Sequence, residues 1–327
     1  MTEMMRAIGV KGVTGPASAL FEDLAVKPAA GPGEILIKVA AAGVNRPDIS
    51  QREGNYPPPP GASPIIGLEV AGEVVALGEG TGRWSIGDRV TALLPGGGYA
   101  EYAVVDGRHA LPVPDDMRFE QAAGLPETVF TVWTNLFERG RLAAGETALI
   151  HGGNSGIGVT AIQMAKAAGA RAIATCRGKA KTARALEVGA DIAIDVLEQD
   201  FVRIVTEADG ADVVLDIAGG SYFEGNIAVL KPDGRLAQIA LLDGGKVSLD
   251  LMPLLFKRLS ITGSTLRARP AEEKARLARA IEETVWPWVR SGQVSPPIDR
   301  AFPLAQAGDA HEYLESGSQF GKVVLVP

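Results

Sequence analysis

A single cysteine, Cys176, stands in 327 residues, so the chain can close no intramolecular disulfide and assemble no four-thiolate zinc site. That scarcity fits a reducing cytoplasm. The three histidines, His109, His151 and His311, lack metal-ligand spacing with one another. No stretch reaches the roughly 18 uninterrupted apolar residues of a membrane span, and residues 1–11 lack the apolar core of a signal peptide. The expectation is an unexported, cytoplasmic protein. A net charge of −7 leaves no basic excess to draw nucleic acid or an anionic membrane, so a small molecule is the expected partner. The 46% hydrophobic and 22% charged residues are those of a globular protein, over a length that one core rarely fills. Two domains are expected.

Up to about Leu125 the chain shows short β-like runs, such as 34–39 and 69–75, punctuated by Gly and Pro, which reads as an all-β domain. Tyr56-Pro57-Pro58-Pro59-Pro60-Gly61 can continue neither ladder nor helix and must form a surface loop. Near Gly145 the rhythm changes to apolar strands alternating with helical segments, at 147–151, 171–175, 192–195, 212–216, 235–239 and 259–263. Six such strands predict a dinucleotide-type parallel sheet. A charged helix over 271–289 and a last β-like run over 321–326 follow, the latter expected to rejoin the first domain.

Strand 147–151 runs into Gly152-Gly153-Asn154-Ser155-Gly156-Ile157-Gly158, and 159–168 has helical composition. Glycines let backbone approach a pyrophosphate, and the positive end of the following helix stabilises its charge. A purely structural turn is the alternative. At the end of the second strand an acid would favour NAD, but Thr175-Cys176-Arg177-Gly178-Lys179-Ala180-Lys181 has no carboxylate. Arg177, Lys179 and Lys181 can meet a 2′-phosphate, or can be solvated cations at a helix start. NADPH is the expected cofactor. The same glycine spacing occurs in short-chain dehydrogenases, but none of Tyr56, Tyr99, Tyr102, Tyr222 and Tyr313 has the Lys four residues on that their chemistry needs.

Ala42-Gly43-Val44-Asn45-Arg46-Pro47-Asp48, Gly67-Leu68-Glu69, Gly87-Asp88-Arg89-Val90 and Leu125-Pro126-Glu127 resemble the quinone oxidoreductase branch of the medium-chain dehydrogenase/reductase superfamily, a likeness that runs nearly the whole chain. The proline run 55–63 with Leu94-Pro95-Gly96-Gly97-Gly98, and with Gly219-Gly220-Ser221-Tyr222 and Phe256-Lys257-Arg258, is similar to the tumour-suppressor-inducible subfamily. The resemblance implies a GroES-like catalytic β domain over 1–125, completed by 267–327, and a Rossmann NADPH-binding domain over 126–266 with a doubly wound, six-stranded parallel sheet. Zinc-dependent relatives carry a Cys where this chain has Asn45 and a His where it has Leu68, and Glu69 alone cannot hold zinc.

By the same resemblance Asn45, Asp48 and Tyr56 line the acceptor cleft. Asn45 and Tyr56 would donate to the acceptor oxygen, and the Tyr56 phenol could relay a proton. Tyr56 could instead anchor the proline loop, and Asp48 could hold the loop around Asn45. Thr131 is implied beside the nicotinamide, and Gly153, Asn154, Ser155, Gly156, Ile157 and Gly158 at the pyrophosphate. Thr175, Arg177 and Lys181 fall toward the adenosine phosphate. Gly219, Ala240, Leu241, Ser264 and Leu266 are also implied at the cofactor, with Lys322 closing over the nicotinamide side. Many relatives support the phosphate with a Tyr where this chain has Val196.

Without zinc, a conjugated acceptor is favoured, because hydride addition to a quinone or enone leaves delocalised charge that neutral donors can stabilise. The expectation is an NADPH-dependent quinone reductase. A reductase of enones, enals or enoyl thioesters is the neighbouring alternative, and a nucleotide-binding structural or RNA-binding protein the distant one. Homodimer formation is implied by analogy, with the apolar run 251–256 at the interface or else in the core.

Overall fold

The computed structural model describes residues 2–12 and 14–327, which divide into two compact units. Met1–Thr128, Arg267–Glu283 and Pro296–Pro327 form the first; Val129–Leu266 and Thr284–Ser295 form the second. The first unit begins with β1 (Met4–Val10), β2 (Leu20–Val26), β3 (Glu34–Val44), β4 (Glu69–Leu77), β5 (Arg89–Leu93), β6 (Tyr102–Asp106) and β7 (Ala110–Pro112). The second contains β8 (Thr147–His151), β9 (Arg171–Cys176), β10 (Ile192–Asp195), β11 (Ala211–Asp216), β12 (Leu230–Gln238) and β13 (Ser260–Gly263). The chain returns to the first unit with β14 (Ile298–Pro303) and β15 (Lys322–Val326).

In the first unit β1 and β2 pair as an antiparallel ribbon, and a seven-stranded sheet runs β14-β15-β3-β4-β5-β7 with β6 also on β3. Ile35, Ile37, Val70, Val74, Val90 and Leu325 fill its core. Each Å2 of apolar surface they remove from water contributes about 25 cal/mol. Register then places the chemistry. Val323 pairs with Val44, which brings Lys322 opposite Asn45, and Ala42 pairs with Val70, which brings Glu69 opposite Gly43. A Cβ on Gly43 would fall on the Glu69 carboxylate, so only glycine leaves room for that acid.

The second unit carries the GroES-like fold's partner, a Rossmann sheet of six parallel strands in the order β10-β9-β8-β11-β12-β13. Counted along this unit the order is 3-2-1-4-5-6, in which ligands bind beyond the carboxyl ends of β8 and β11, where the winding reverses. The glycine loop leaves β8 and the Gly219 turn follows β11 at this point.

The helix expected over 271–289 is two helices, Ala271–Thr284 and Trp286–Arg290. Pro287 has no N–H to continue the first ladder. Residues 284–295 belong to the second unit, where Gln163 exchanges hydrogen bonds with Ser295 and Trp288 packs near Phe137. The core alternative for 251–256 is overturned: Leu251–Phe256 is a short helix without a buried residue, Leu255 and Phe256 being 70% and 74% exposed. Among the described residues no helix is long and apolar enough to cross a membrane.

Candidate active site

Strand β3 ends at Val44, and Asn45 follows as the N-cap of the helix Arg46–Arg52. The Asp48 carboxylate, in the first turn, accepts the Asn45 backbone N–H at 2.8 Å. This frees the Asn45 side chain from capping. Its Nδ2 donates to Glu69 Oε1 at 2.8 Å, and Lys322 Nζ donates to its Oδ1 at 2.6 Å and to Glu69 Oε1 at 2.6 Å. A lysine can only donate and a carboxylate only accept, so the amide has one possible orientation, with one Nδ2–H left over. The other Glu69 oxygen accepts the Glu127 N–H at 2.8 Å.

Behind this cluster Asp48 is sealed from water. Its Oδ2 also takes the Tyr99 hydroxyl at 3.1 Å, while Oδ1 has no partner. Tyr99 lies 3.0 Å from His311 Nε2, and Arg52 Nη1 lies 3.4 Å from His311 Nδ1. Arginine cannot accept, so Nδ1 carries the lone pair, Nε2–H donates to Tyr99, and the Tyr99 hydroxyl turns to Asp48. Burial, with Arg52 adding, pushes His311 down to about 3, consistent with a neutral ring. Burial pushes Asp48 up to about 7 against the Asn45 N–H, Tyr99 and Lys322. Asp48 therefore fixes the Asn45 loop from behind. Glu127 is driven up to about 8 by burial first, then by Glu69 and Asp48. The half-buried Tyr56 phenol is raised by burial and by Glu127, with Arg267 opposing.

In the second unit Ser155 caps the helix Gly156–Ala167: its Oγ accepts the Gly158 N–H at 3.0 Å and donates to Gly152 O at 2.8 Å. A Cβ on Gly158 would collide with the Gly152 carbonyl oxygen, so glycine there lets the helix start close against the strand. The result is a helix N-terminus facing a glycine cradle, fitted to a pyrophosphate. Arg177 is exposed and Lys181 half-buried beyond β9, with no carboxylate on that strand end. Gly219 lies in the turn that the Asp216 carboxylate gathers by accepting the Ala218 and Gly219 N–H groups.

Several expected cofactor residues also bond within the protein. Lys322 has its ammonium committed to Asn45 and Glu69 in the first unit. Thr175 is buried, its hydroxyl 2.9 Å from His151 Nδ1, while His151 Nε2 donates to Asn226 Oδ1 at 2.6 Å. Thr131 and Ser264 are joined through Asn135, which donates to the Thr131 carbonyl at 2.9 Å and accepts the Ser264 hydroxyl at 2.7 Å. The Ala240 carbonyl takes the Gln238 amide, Leu241 is exposed, and Leu266 is buried. Sequence reasoning missed Asn135, which sits in the π-helical turn Trp133–Arg139, and it missed the roles of Tyr99, Glu127 and Arg267. Glu127 stands in the Leu125-Pro126-Glu127 motif, which marked the resemblance but not a role for the acid, and the other three stand in no motif that announces them.

The donor set does not fit zinc. Glu69 already holds an ammonium, Asn45 and Leu68 offer no thiolate or imidazole, and no group of three His, Cys, Asp or Glu among the described residues could hold a metal.

Residues 31–115 match the alcohol dehydrogenase GroES-like domain and 188–325 the zinc-binding dehydrogenase family. The quinone oxidoreductase of Rattus norvegicus is 30% identical over 99% of this chain and 98% of its own. The solved quinone oxidoreductase of Pseudomonas syringae superposes with a TM-score of 0.88 at 27% identity, covering 99% of this chain and all of its own. That of Escherichia coli, solved in complex with NADPH, superposes with a TM-score of 0.86 at 28% identity, covering 98% of this chain and all of its own.

Proposed function

Because the chain belongs to the quinone oxidoreductase family of the medium-chain dehydrogenase/reductase superfamily, we propose that it is a zinc-independent, NADPH-dependent reductase of quinones. The observation that carries this reading is the Asn45 amide, locked by Lys322 and Glu69 with one N–H unspent. A neutral donor beside a buried cation stabilises the dispersed charge of a reduced quinone, where a simple ketone would demand a Lewis acid. Tyr56 is the second donor, its phenol protonated at neutral pH as a tyrosine ordinarily is and raised further by burial.

NADPH, when bound, supplies the hydride. In the second unit the loop Gly153–Gly158 and the helix N-terminus would hold its pyrophosphate, Arg177 and Lys181 would favour the 2′-phosphate, and Thr131 and Ser264, tied by Asn135, would lie toward the nicotinamide. The NADPH carried by the Escherichia coli relative supports the same choice. The chain's own work is binding, orientation and proton supply. The exposed helix Leu251–Phe256 beside the edge strand β13 supports a homodimer.

The test is NADPH oxidation by the purified protein with an ortho- and a para-quinone. Quinone-dependent loss of NADPH absorbance supports the reading, and NADPH binding without turnover of either quinone removes it.

A further inference from the structure

The loop that carries Tyr56 has a physical difficulty. Pro57, Pro58, Pro59 and Pro60 follow it without one amide hydrogen among them, so these four residues can donate nothing to a neighbouring strand or turn. On its upstream side the Tyr56 N–H reaches the Ser50 carbonyl at 3.2 Å. Through the four prolines the backbone can be held only by its acceptors.

Arg267 does this. Its guanidinium is almost wholly buried, and each of its three nitrogens reaches a different segment: Nη1 donates to the Tyr56 carbonyl at 3.0 Å, Nη2 to Gln51 Oε1 at 2.7 Å, and Nε to the Pro95 carbonyl at 2.7 Å. Three bonds from one planar fork fix both its place and its tilt, which a lysine ammonium cannot do. The same guanidinium lies 5.4 Å from the centre of the Tyr56 ring, and the Arg267 backbone N–H is bonded to the phenol. Arg267 is held in turn by Lys274, whose Nζ donates to its carbonyl at 2.6 Å. One residue thus grips the backbone, the ring face and the hydroxyl of Tyr56, and ties them to the helix Arg46–Arg52 that begins at Asn45.

We propose that Arg267 is the positioning residue for Tyr56, setting the direction of its phenol so that it and Asn45 converge on one acceptor oxygen. This rests on the reading of Tyr56 as a donor to the acceptor. The charged and titratable groups acting on Tyr56 are Glu127 and Arg267, and those acting on Arg267 are Asp48, Tyr56 and Glu127. Loss of the guanidinium leaves Glu127 unopposed at the phenol.

The experiment compares Arg267→Gln, Gln51→Leu, Tyr56→Phe and the doubles of the first two with Tyr56→Phe. Gln51→Leu removes one anchor and keeps the arginine, so it reports even if Arg267→Gln folds poorly. Quinone turnover is expected to fall about tenfold or more in Arg267→Gln and less in Gln51→Leu, with KM for NADPH unchanged, as a displaced group near the reaction centre predicts. Both losses are expected to vanish in the Tyr56→Phe background. Equal losses in both backgrounds would overturn the proposal and leave the quinone reading standing. The ultraviolet pH titration of the Tyr56 phenol, taken as the difference between each protein and its Tyr56→Phe partner, needs no turnover. An upward midpoint shift in Arg267→Gln supports the proposal, and an unmoved midpoint overturns it, whether or not any quinone is reduced.

Discussion

Lys322 and Glu69 form an ion pair 2.6 Å long, with side chains 2% and 0% exposed, and the Asn45 amide bridges it. A buried pair of this kind adds little net stability over an apolar pair, because both charges have lost their water. Its value here is directional, since the two unlike charges leave the amide no choice of which end to present.

Removing one partner should therefore be costly. Lys322→Met strands Glu69 as a buried, uncompensated charge and is expected to destabilise the fold by about 3–5 kcal/mol. Lys322→Met with Glu69→Gln should recover most of that stability in a thermal melt. Turnover should stay low in both, because the Asn45 Oδ1 has lost the cation that holds it, and in the double variant the amide is free to flip.

Glu127 and Asp48 give stability a definite pH dependence. Their folded pKa values, about 8 and about 7, lie above the ordinary carboxylate range, so between about pH 4 and 8 the unfolded chain releases protons that the fold retains. Their contribution is full in acid and is lost as pH rises through those folded values. Glu127→Gln should melt higher than the parent at pH 8.5 and show no such gain at pH 5. A gain that is the same at both pH values would contradict the assignment.

The choice of nucleotide should rest on Arg177 and Lys181, which follow a strand end without a carboxylate. A charge-assisted bond to a phosphate is worth about 1.5–3 kcal/mol, so Lys181→Ala should raise KM for NADPH roughly tenfold or more and leave NADH unchanged. An equal effect on both nucleotides would place Lys181 away from the 2′-phosphate.

The exposed apolar side chains of Leu251–Phe256 predict self-association. Leu255→Glu with Phe256→Glu should shift a dimeric elution volume to that of a monomer. A parent that already elutes as a monomer would refute the interface.

The second unit was largely legible in the sequence because each of its features is local. The strands expected at 147–151 and 192–195 fall on β8 and β10, and the glycine turn needs only neighbours in the chain. The first unit was harder. The Asn45–Glu69–Lys322 cluster joins positions separated by 24 and 253 residues, brought together by strand register that no periodicity reports. Glu69 could be read only as a lone carboxylate, although Gly43, opposite it, marked a place where a side chain had to be missing. Arg267 was invisible for the same reason: its importance lies in four prolines that cannot donate, more than 200 residues upstream.

The central claim is that Asn45 and Tyr56, without zinc, serve NADPH-dependent reduction of a quinone. Initial rates with NADPH and NADH against an ortho-quinone, a para-quinone and an enal, for the parent and for Tyr56→Phe, test it most directly. The account predicts faster oxidation of NADPH than of NADH with a quinone, and a loss of about tenfold to a hundredfold in Tyr56→Phe, the scale of one missing donor to developing charge. Turnover of the enal alone, or quinone rates indifferent to Tyr56, would contradict it.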